Sequence, residues 1–253
     1  MDPDALTGKV CAVVGASAGI GRATARRLAA DGAMVVMIAR GEQRLTEAAR
    51  EVGPAAVPFV ADTSDPQSVR ATFAAIGNRF GHLDILINVA GVARLTLIED
   101  ATDDDVDYVM RTNLFGPLYT TRAAIPLMRR TAGGVIVNVS SEATTDAMPY
   151  NTLYGISKAG LNALSTLMNH ELRETGIRVC LCVAGRTSGT AFADNFTPEQ
   201  WAVARAAAQA SGYYARVAGS VAMTPDEVAD ALAFVVSRPV NQMLDVVHVR
   251  ASR

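Results

Sequence analysis

Uninterrupted apolar, β-branched stretches alternate with helix-patterned stretches along the whole chain, and this constrains the fold more than any other feature. "KVCAVVG" reads as a strand, and "GIGRATARRLAADG" after it has helical spacing and a glycine stop. The pairing repeats in "AMVVMIAR" with "EQRLTEAAREVG" and in "AAVPFVAD" with "DPQSVRATFAAIGNRFG", whose Pro66 suits a first helical turn. "LDILINVAG" precedes a long helix expected from about Thr102 to Arg130, kinked near Gly116 and Pro117. "GGVIVNVSS" leads to a helix that opens in "PYNTLYGISKAGLNAL" and runs to Glu174. "IRVCLCVAG", the helix "TPDEVADALAFVVSR" and the strand "MLDVVHVR" complete the pattern. Strands apolar at every position must be covered on both faces, and helical crossovers make them parallel. The expected fold is α/β, a doubly wound parallel sheet of about seven strands with helices on both faces. No repeat, low-complexity tract or linker interrupts it, so residues 1–253 are read as one domain. Only the segment from about Ala184 to Thr224 is irregular.

The length of 253 residues is ample for a core, and half of them are apolar. Net charge is −2 and no basic stripe is visible, which argues against nucleic acid or an anionic membrane as a partner. No apolar run reaches membrane-spanning length, and the acidic start "MDPDALTGKV" is unlike a signal peptide. Three cysteines, Cys11, Cys180 and Cys182, are too few for a disulfide framework and point to a reducing cytoplasm. Cys180 and Cys182 are read as small core residues. Thr102 and Asp105 are read as a helix cap, with "DDDVD" at a helix N-terminus rather than a metal site. His82, His170 and His248 are scattered and receive no catalytic role. No metal is expected.

"VVGASAGIGRA" lies where the first strand meets the first helix. Its Gly15, Gly19 and Gly21 let the backbone turn tightly and approach a ligand, while the helix offers free N–H groups and the positive end of its dipole. A pyrophosphate fits there, with Ser17 and Ile20 in the same turn. In dinucleotide sites an acid at the end of the second strand usually binds the ribose hydroxyls. Here Ala39 and Arg40 stand instead, so a 2′-phosphate meets a guanidinium rather than a carboxylate, and NADP(H) is favoured over NAD(H). Arg22 could assist. Asp62 ends the third strand within reach of an adenine.

Tyr154 and Lys158 are four residues apart and share one helix face. Ser141 closes the fifth strand, Asn113 stands in "MRTNLFG", and "NVAG" ends the fourth strand. With the glycine turn, this ordered set resembles the short-chain dehydrogenase/reductase family of the single-domain, Y-x-x-x-K type, over nearly the whole chain. The resemblance implies a Rossmann-like fold and an NAD(P)-dependent oxidoreductase acting on CH–OH and C=O groups. It implies Tyr154 as general acid/base, Lys158 and the cofactor's positive nicotinamide ring together lowering the phenol's pKa, Lys158 also holding the nicotinamide ribose, and Ser141 bonding the substrate oxygen. It implies Asn113 anchoring a water that links Lys158 to solvent. Asn88, Ala90 and Gly91, with Gly185 and Thr187 after the sixth strand, are expected at the cofactor. Thr190 is an alternative to Thr187 for the carboxamide.

The chain departs from the family's pattern at Val89, where a second Asn is usual, at Val14 for Thr, and at Ala184 for Pro. The usual Asn-Gly-Gly ending before the last strand is absent too. The irregular segment, about 186–224, matches the family's substrate lid and carries Phe192, Phe196, Trp201, Tyr213 and Tyr214. A small-molecule ketone, aldehyde or alcohol is expected, in an apolar or aromatic pocket with Met148 and Tyr150 opposite. Arg94 and Arg186 could bind a substrate anion but are read as solvated. The helix 155–172 is apolar over a wide arc, which suggests a homodimer or homotetramer. An epimerase or dehydratase-like enzyme on the same fold, or a non-catalytic dinucleotide-binding regulator, are the alternatives.

Overall fold

The computed structural model describes residues 5–131, 133–146, 148–217 and 221–251. The strands are β1 (Val10–Val14), β2 (Met34–Ala39), β3 (Ala56–Val60), β4 (Ile85–Asn88), β5 (Gly134–Ser141), β6 (Ile177–Ala184) and β7 (Val246–Val249). They form one seven-stranded sheet in the order β3-β2-β1-β4-β5-β6-β7. Every pairing is parallel. The helices are α1 (Gly19–Ala30), α2 (Glu42–Val52), α3 (Pro66–Phe80), α4 (Asp103–Met110), α5 (Gly116–Met128), α6 (Thr152–Glu171), α7 (Pro198–Ala210), α8 (Tyr213–Val217) and α9 (Pro225–Val236).

Successive side chains of a strand point to opposite faces, and here both faces are apolar. Cys11, Val13, Val35 and Met37 pack with Leu28 of α1, Leu45 of α2 and Leu232 of α9. Ala12, Val14, Val36 and Ile38 pack on the other face with Phe73 of α3, Met128 of α5 and Met168 of α6. The expected doubly wound sheet is therefore present, and both of its faces are core. Cys11, Cys180 and Cys182 are free and buried on the α1 side.

Helix starts follow the local sequence. Asp65 caps α3 ahead of Pro66, and Thr102 with Asp105 forms a reciprocal capping box on α4. Thr197 with Gln200 and Thr224 with Glu227 do the same for α7 and α9. α1 differs, because Ala18 stands at its cap and offers no side-chain acceptor.

The helix expected from Thr102 to Arg130 is not continuous. Between α4 and α5 lies a π-helical segment, Arg111–Phe115, where the Gly116 N–H reaches the Arg111 carbonyl five residues back. Pro117 has no N–H, so the α ladder cannot continue through it, and the chain widens one turn earlier. The helix expected to reach Glu174 stops at Glu171, and a short turn, Arg173–Thr175, leads to Gly176 at φ 73°.

Candidate active site

The strand order reverses between β1 and β4, and a cleft of about 1370 Å³ opens over the carboxyl ends of the strands there. Its phosphate end is built by glycines that admit no substitute. Gly15 has φ 86°, and a Cβ on it would lie 2.8 Å from the Ala90 backbone. A Cβ on Gly21 would lie 2.2 Å from the Gly15 carbonyl. Removing both Cβ atoms lets α1 start tight against the sheet, and its uncapped N–H groups face the cleft. Gly15, Ser17, Gly19, Ile20 and Gly21 all line it. These bare donors and the helix dipole suit a pyrophosphate.

Arg40 and Arg44 stand on the same wall. Arg44 pairs with Asp194 at 3.6 Å. The Arg40 guanidinium lies 6.0 Å from the centre of the Tyr108 ring and has no ion pair among the described residues. Arg22 turns away to Glu51 at 3.2 Å and is not part of the wall. Asp62 lines the cleft while its carboxylate accepts from the Ser64 N–H and hydroxyl at 2.9 and 2.7 Å.

At the other end Ser141, Tyr154 and Lys158 converge on the cleft. Ser141 ends β5, and its hydroxyl accepts the Ala143 N–H at 3.2 Å and interacts with the Tyr154 hydroxyl. Lys158, one turn beyond Tyr154, is 3% exposed, and its Nζ donates to the Val139 carbonyl at 2.8 Å. Burial lowers the Lys158 ammonium to about 8. Burial also raises the Tyr154 phenol, and the Ser141 hydrogen bond offsets only part of this. In the chain alone the phenol is thus raised, while the expected lowering calls on Lys158 and the nicotinamide ring of a bound cofactor together. Nζ is directed to Val139 and lies 5.8 Å from the centre of the Tyr154 ring.

Two expected site asparagines lie beneath the cleft rather than on its wall. Asn88 is 2% exposed, accepts from Thr120 at 2.8 Å and donates to Asn138 at 2.9 Å. Asn138 in turn donates to Ser165 at 2.9 Å, so Asn88 belongs to a buried relay joining α5, β4, β5 and α6. Its side chain is engaged in that relay and does not line the cleft. Asn113 is fully buried in the π-helical segment. Its amide accepts the Val92 N–H and donates to the Val92 carbonyl, both at 2.8 Å, and donates to Ser157 at 2.9 Å. It fixes the chain after β4 against α6. Ala90 and Gly91 do reach the wall, and a Cβ on Gly91 would lie 3.4 Å from Lys158 Nζ.

Gly185 and Thr187 line the cleft after β6, with the Thr187 hydroxyl donating to the Gly185 carbonyl at 3.1 Å. Thr190 also lines it, pressed against Gly19. The aromatic residues beyond form a series of contacts. Tyr154 meets Phe192 edge-on at 5.1 Å, Phe192 meets Phe196 at 5.5 Å, and Phe196 stacks on Trp201 at 5.8 Å. Met148 lines the cleft, but Tyr150 does not. Tyr150 adopts φ 67°, and its carbonyl accepts the Thr96 N–H at 2.9 Å, so it anchors the loop rather than forming a pocket wall. Arg94 is held by Asp105 at 3.1 Å over the Tyr108 ring, away from the wall, whereas Arg186 is on it. Glu142 and Asn151 line the site without having been read from the sequence. The only signals were adjacency to Ser141 and an ordinary helix-cap residue type.

The model of the short chain dehydrogenase family matches residues 9–201, the span that carries the glycine turn, Ser141, Tyr154 and Lys158. The chain belongs to that family. It is an NAD(P)-dependent oxidoreductase with the family's Rossmann-like fold. This short chain dehydrogenase is 34% identical over 238 residues to an uncharacterized oxidoreductase of Methylorubrum extorquens, covering 92% of each chain. Its structure is similar to that of a metagenomic short-chain oxidoreductase in complex with NADP, with 30% identity, a TM-score of 0.80, and coverage of 98% of this chain and 100% of the other. It is similar also to a 3-ketoacyl-(acyl-carrier-protein) reductase from Brucella melitensis complexed with NADH, with 26% identity, a TM-score of 0.84, and coverage of 96% and 97%. Among the described residues no helix is long and apolar enough to cross a membrane.

Proposed function

We propose that this enzyme reduces a ketone or aldehyde to an alcohol, reversibly, with NADP(H) preferred over NAD(H). The observation that carries the reading is a single cleft with an uncapped helix N-terminus and Arg40 at one end and Ser141, Tyr154 and Lys158 at the other. The nicotinamide, when bound, supplies a hydride to the carbonyl carbon or takes one from the alcohol. Gly15, Ser17, Gly19, Ile20 and Gly21 hold the pyrophosphate, Asp62 the adenine end, and Ala90, Gly91, Gly185 and Thr187 the nicotinamide end. Ser141 donates a hydrogen bond to the substrate oxygen and holds it at Tyr154. Tyr154 passes its hydroxyl proton to that oxygen as the alcohol forms, and Lys158 favours the phenolate left behind. The segment from about 186 to 224 serves as the substrate lid, with Phe192 nearest the reacting end. The substrate is a small molecule, and the chain acts as a homo-oligomer.

The nucleotide preference is tested by fluorescence titration of the purified protein with NADPH and NADH. A guanidinium–phosphate contact is worth roughly 1.5–3 kcal/mol, about ten- to a hundredfold in affinity. NADPH should bind tighter by that factor, and Arg40→Ala should bring the two affinities together. Equal binding by the unaltered protein would make Arg40 a solvated charge and remove the preference.

A further inference from the structure

Asn151 stands one turn ahead of Tyr154, where α6 begins, and is 8% exposed. It occupies the cap position, yet its side chain caps nothing. Its Oδ1 is buried without a hydrogen-bond partner, a condition shared among the described residues only with the Thr121 hydroxyl. Thr121 lies away from the cleft, whereas Asn151 lines it. A cap asparagine ordinarily gives its oxygen to an N–H of the first helical turn, and a buried polar atom left unmatched is disfavoured. An amide on a cleft wall, held off its own helix, is set to meet a polar group from outside the chain.

Glu142 directly follows Ser141, is half-buried and lines the same wall. Its carboxylate has no ion pair or hydrogen bond among the described residues. Gly185 makes room for it, since a Cβ there would lie 2.5 Å from Glu142 Oε2. The turn that carries Glu142 abuts the start of α6, where the Ala143 carbonyl lies 3.3 Å from a Cβ built on Gly155. Glu142 therefore adjoins Ser141 with its carboxylate beside Gly185, and Asn151 stands one turn before Tyr154 with a buried Oδ1, and each is an oxygen acceptor with no donor among the described residues.

The structure assigns Glu142 and Asn151 to substrate selection: the alcohol or carbonyl compound that fits carries a second hydrogen-bond donor, a hydroxyl or an ammonium, on the carbon beside the reacting one. This rests on the reading of Tyr154 as the proton donor to a carbonyl oxygen. It departs from a purely apolar pocket, because the apolar contacts lie on the Phe192 side and the free acceptors lie beside Ser141 and Tyr154.

The test uses the full chain with NADP+ and two matched series of alcohols. One is isopropanol, propylene glycol and isopropanolamine. The other is α-methylbenzyl alcohol, phenylethylene glycol and phenylethanolamine. Within each series the oxidised CH–OH group is constant and its neighbour carries no donor, a hydroxyl or an ammonium. In at least one series a donor-bearing member should exceed the plain alcohol in kcat/KM by roughly ten- to a hundredfold. Asn151→Ala and Glu142→Gln should each bring that ratio toward one. A preferred hydroxyl identifies a diol-type substrate. A preferred ammonium, with the larger loss in Glu142→Gln, identifies an amino alcohol. Should Asn151→Ala fail to bind NADPH or to fold, Asn151→Ser and Glu142→Gln carry the same comparison. Plain alcohols turned over as well as the others, or ratios unmoved in the variants, overturn this inference and leave the reductase reading standing. Intact nucleotide binding with no turnover of either series, nor of the matching ketones, overturns both.

Discussion

Lys158 is a buried ammonium held by one carbonyl, and this makes its charge sensitive to pH in a range where few lysines titrate. It loses its proton at about 8, while burial keeps Tyr154 protonated above its ordinary range. Reduction needs a protonated phenol and an ammonium that favours the phenolate formed as the proton leaves. The profile of kcat/KM, which reports the free enzyme, should therefore be flat below pH about 8 and fall above it. Lys158→Arg keeps its charge at every working pH, so whatever activity it retains should not fall in that range. A flat profile in the unaltered enzyme across the whole interval would remove Lys158's charge from the mechanism. The sign for stability is opposite. Between about 8 and the ordinary 10.5 the unfolded chain binds the extra proton, so the unliganded fold gains stability as pH rises through that window, by ~3 kcal/mol at most. Chemical denaturation at several pH values reads this directly.

At the scale of elements, the π-helical segment between α4 and α5 is the feature that aligns the reacting end. Pro117 forces the widened turn, and the widened turn carries Asn113 inward, where its amide clamps both backbone groups of Val92 and the Ser157 hydroxyl. Asn113→Ala leaves three buried polar groups without that partner. The expected loss is about 3 kcal/mol, read as a lower urea midpoint with an unchanged slope. Catalysis should fall as well, since Gly91 and Lys158 are neighbours of the clamp. A loss below about 1 kcal/mol would mean that water replaces the amide without penalty. This element also marks the limit of what could be read from sequence. Strand and helix order was legible because period and composition are local properties. The glycine turn was legible because steric need at Gly15 and Gly21 leaves no other residue type. The buried relay through Asn88 was not legible because its partners Thr120 and Asn138 come from distant parts of the chain. The kink was expected at Gly116 and Pro117, whereas the widened turn is Arg111–Phe115, because proline's effect falls on the carbonyls one turn behind it. Nothing local announces that Asn151 caps no helix.

For the whole molecule the outer side of α6 poses the remaining question. Its inner side, Leu161, Ser165 and Met168, is buried against the sheet. Its outer side carries Ile156, Ala159, Ala163 and Leu167, all exposed, with Ile156 at 51% and Leu167 at 67%. These positions recur every three or four residues and form one apolar stripe. Beside it, α4 and the π-helical segment expose Val106 and Phe115, and α5 exposes Leu118. Scattered apolar residues on a surface need no explanation, but a stripe three turns long with apolar neighbours is the kind of surface that a second copy covers. A two-fold pairing of α6 with itself would also set the starts of two α6 helices, and so two Tyr154 side chains, within a fixed frame. Light scattering after gel filtration should therefore give a mass of two or more times the 26.6 kDa of one chain. The double variant Ile156→Glu, Leu167→Glu places charges only on the exposed stripe and leaves the buried face intact, so its chains should fold, bind NADPH and run at the monomer mass. If the unaltered protein is a monomer at micromolar concentration, the stripe is an ordinary surface and α6 owes its order to the sheet alone.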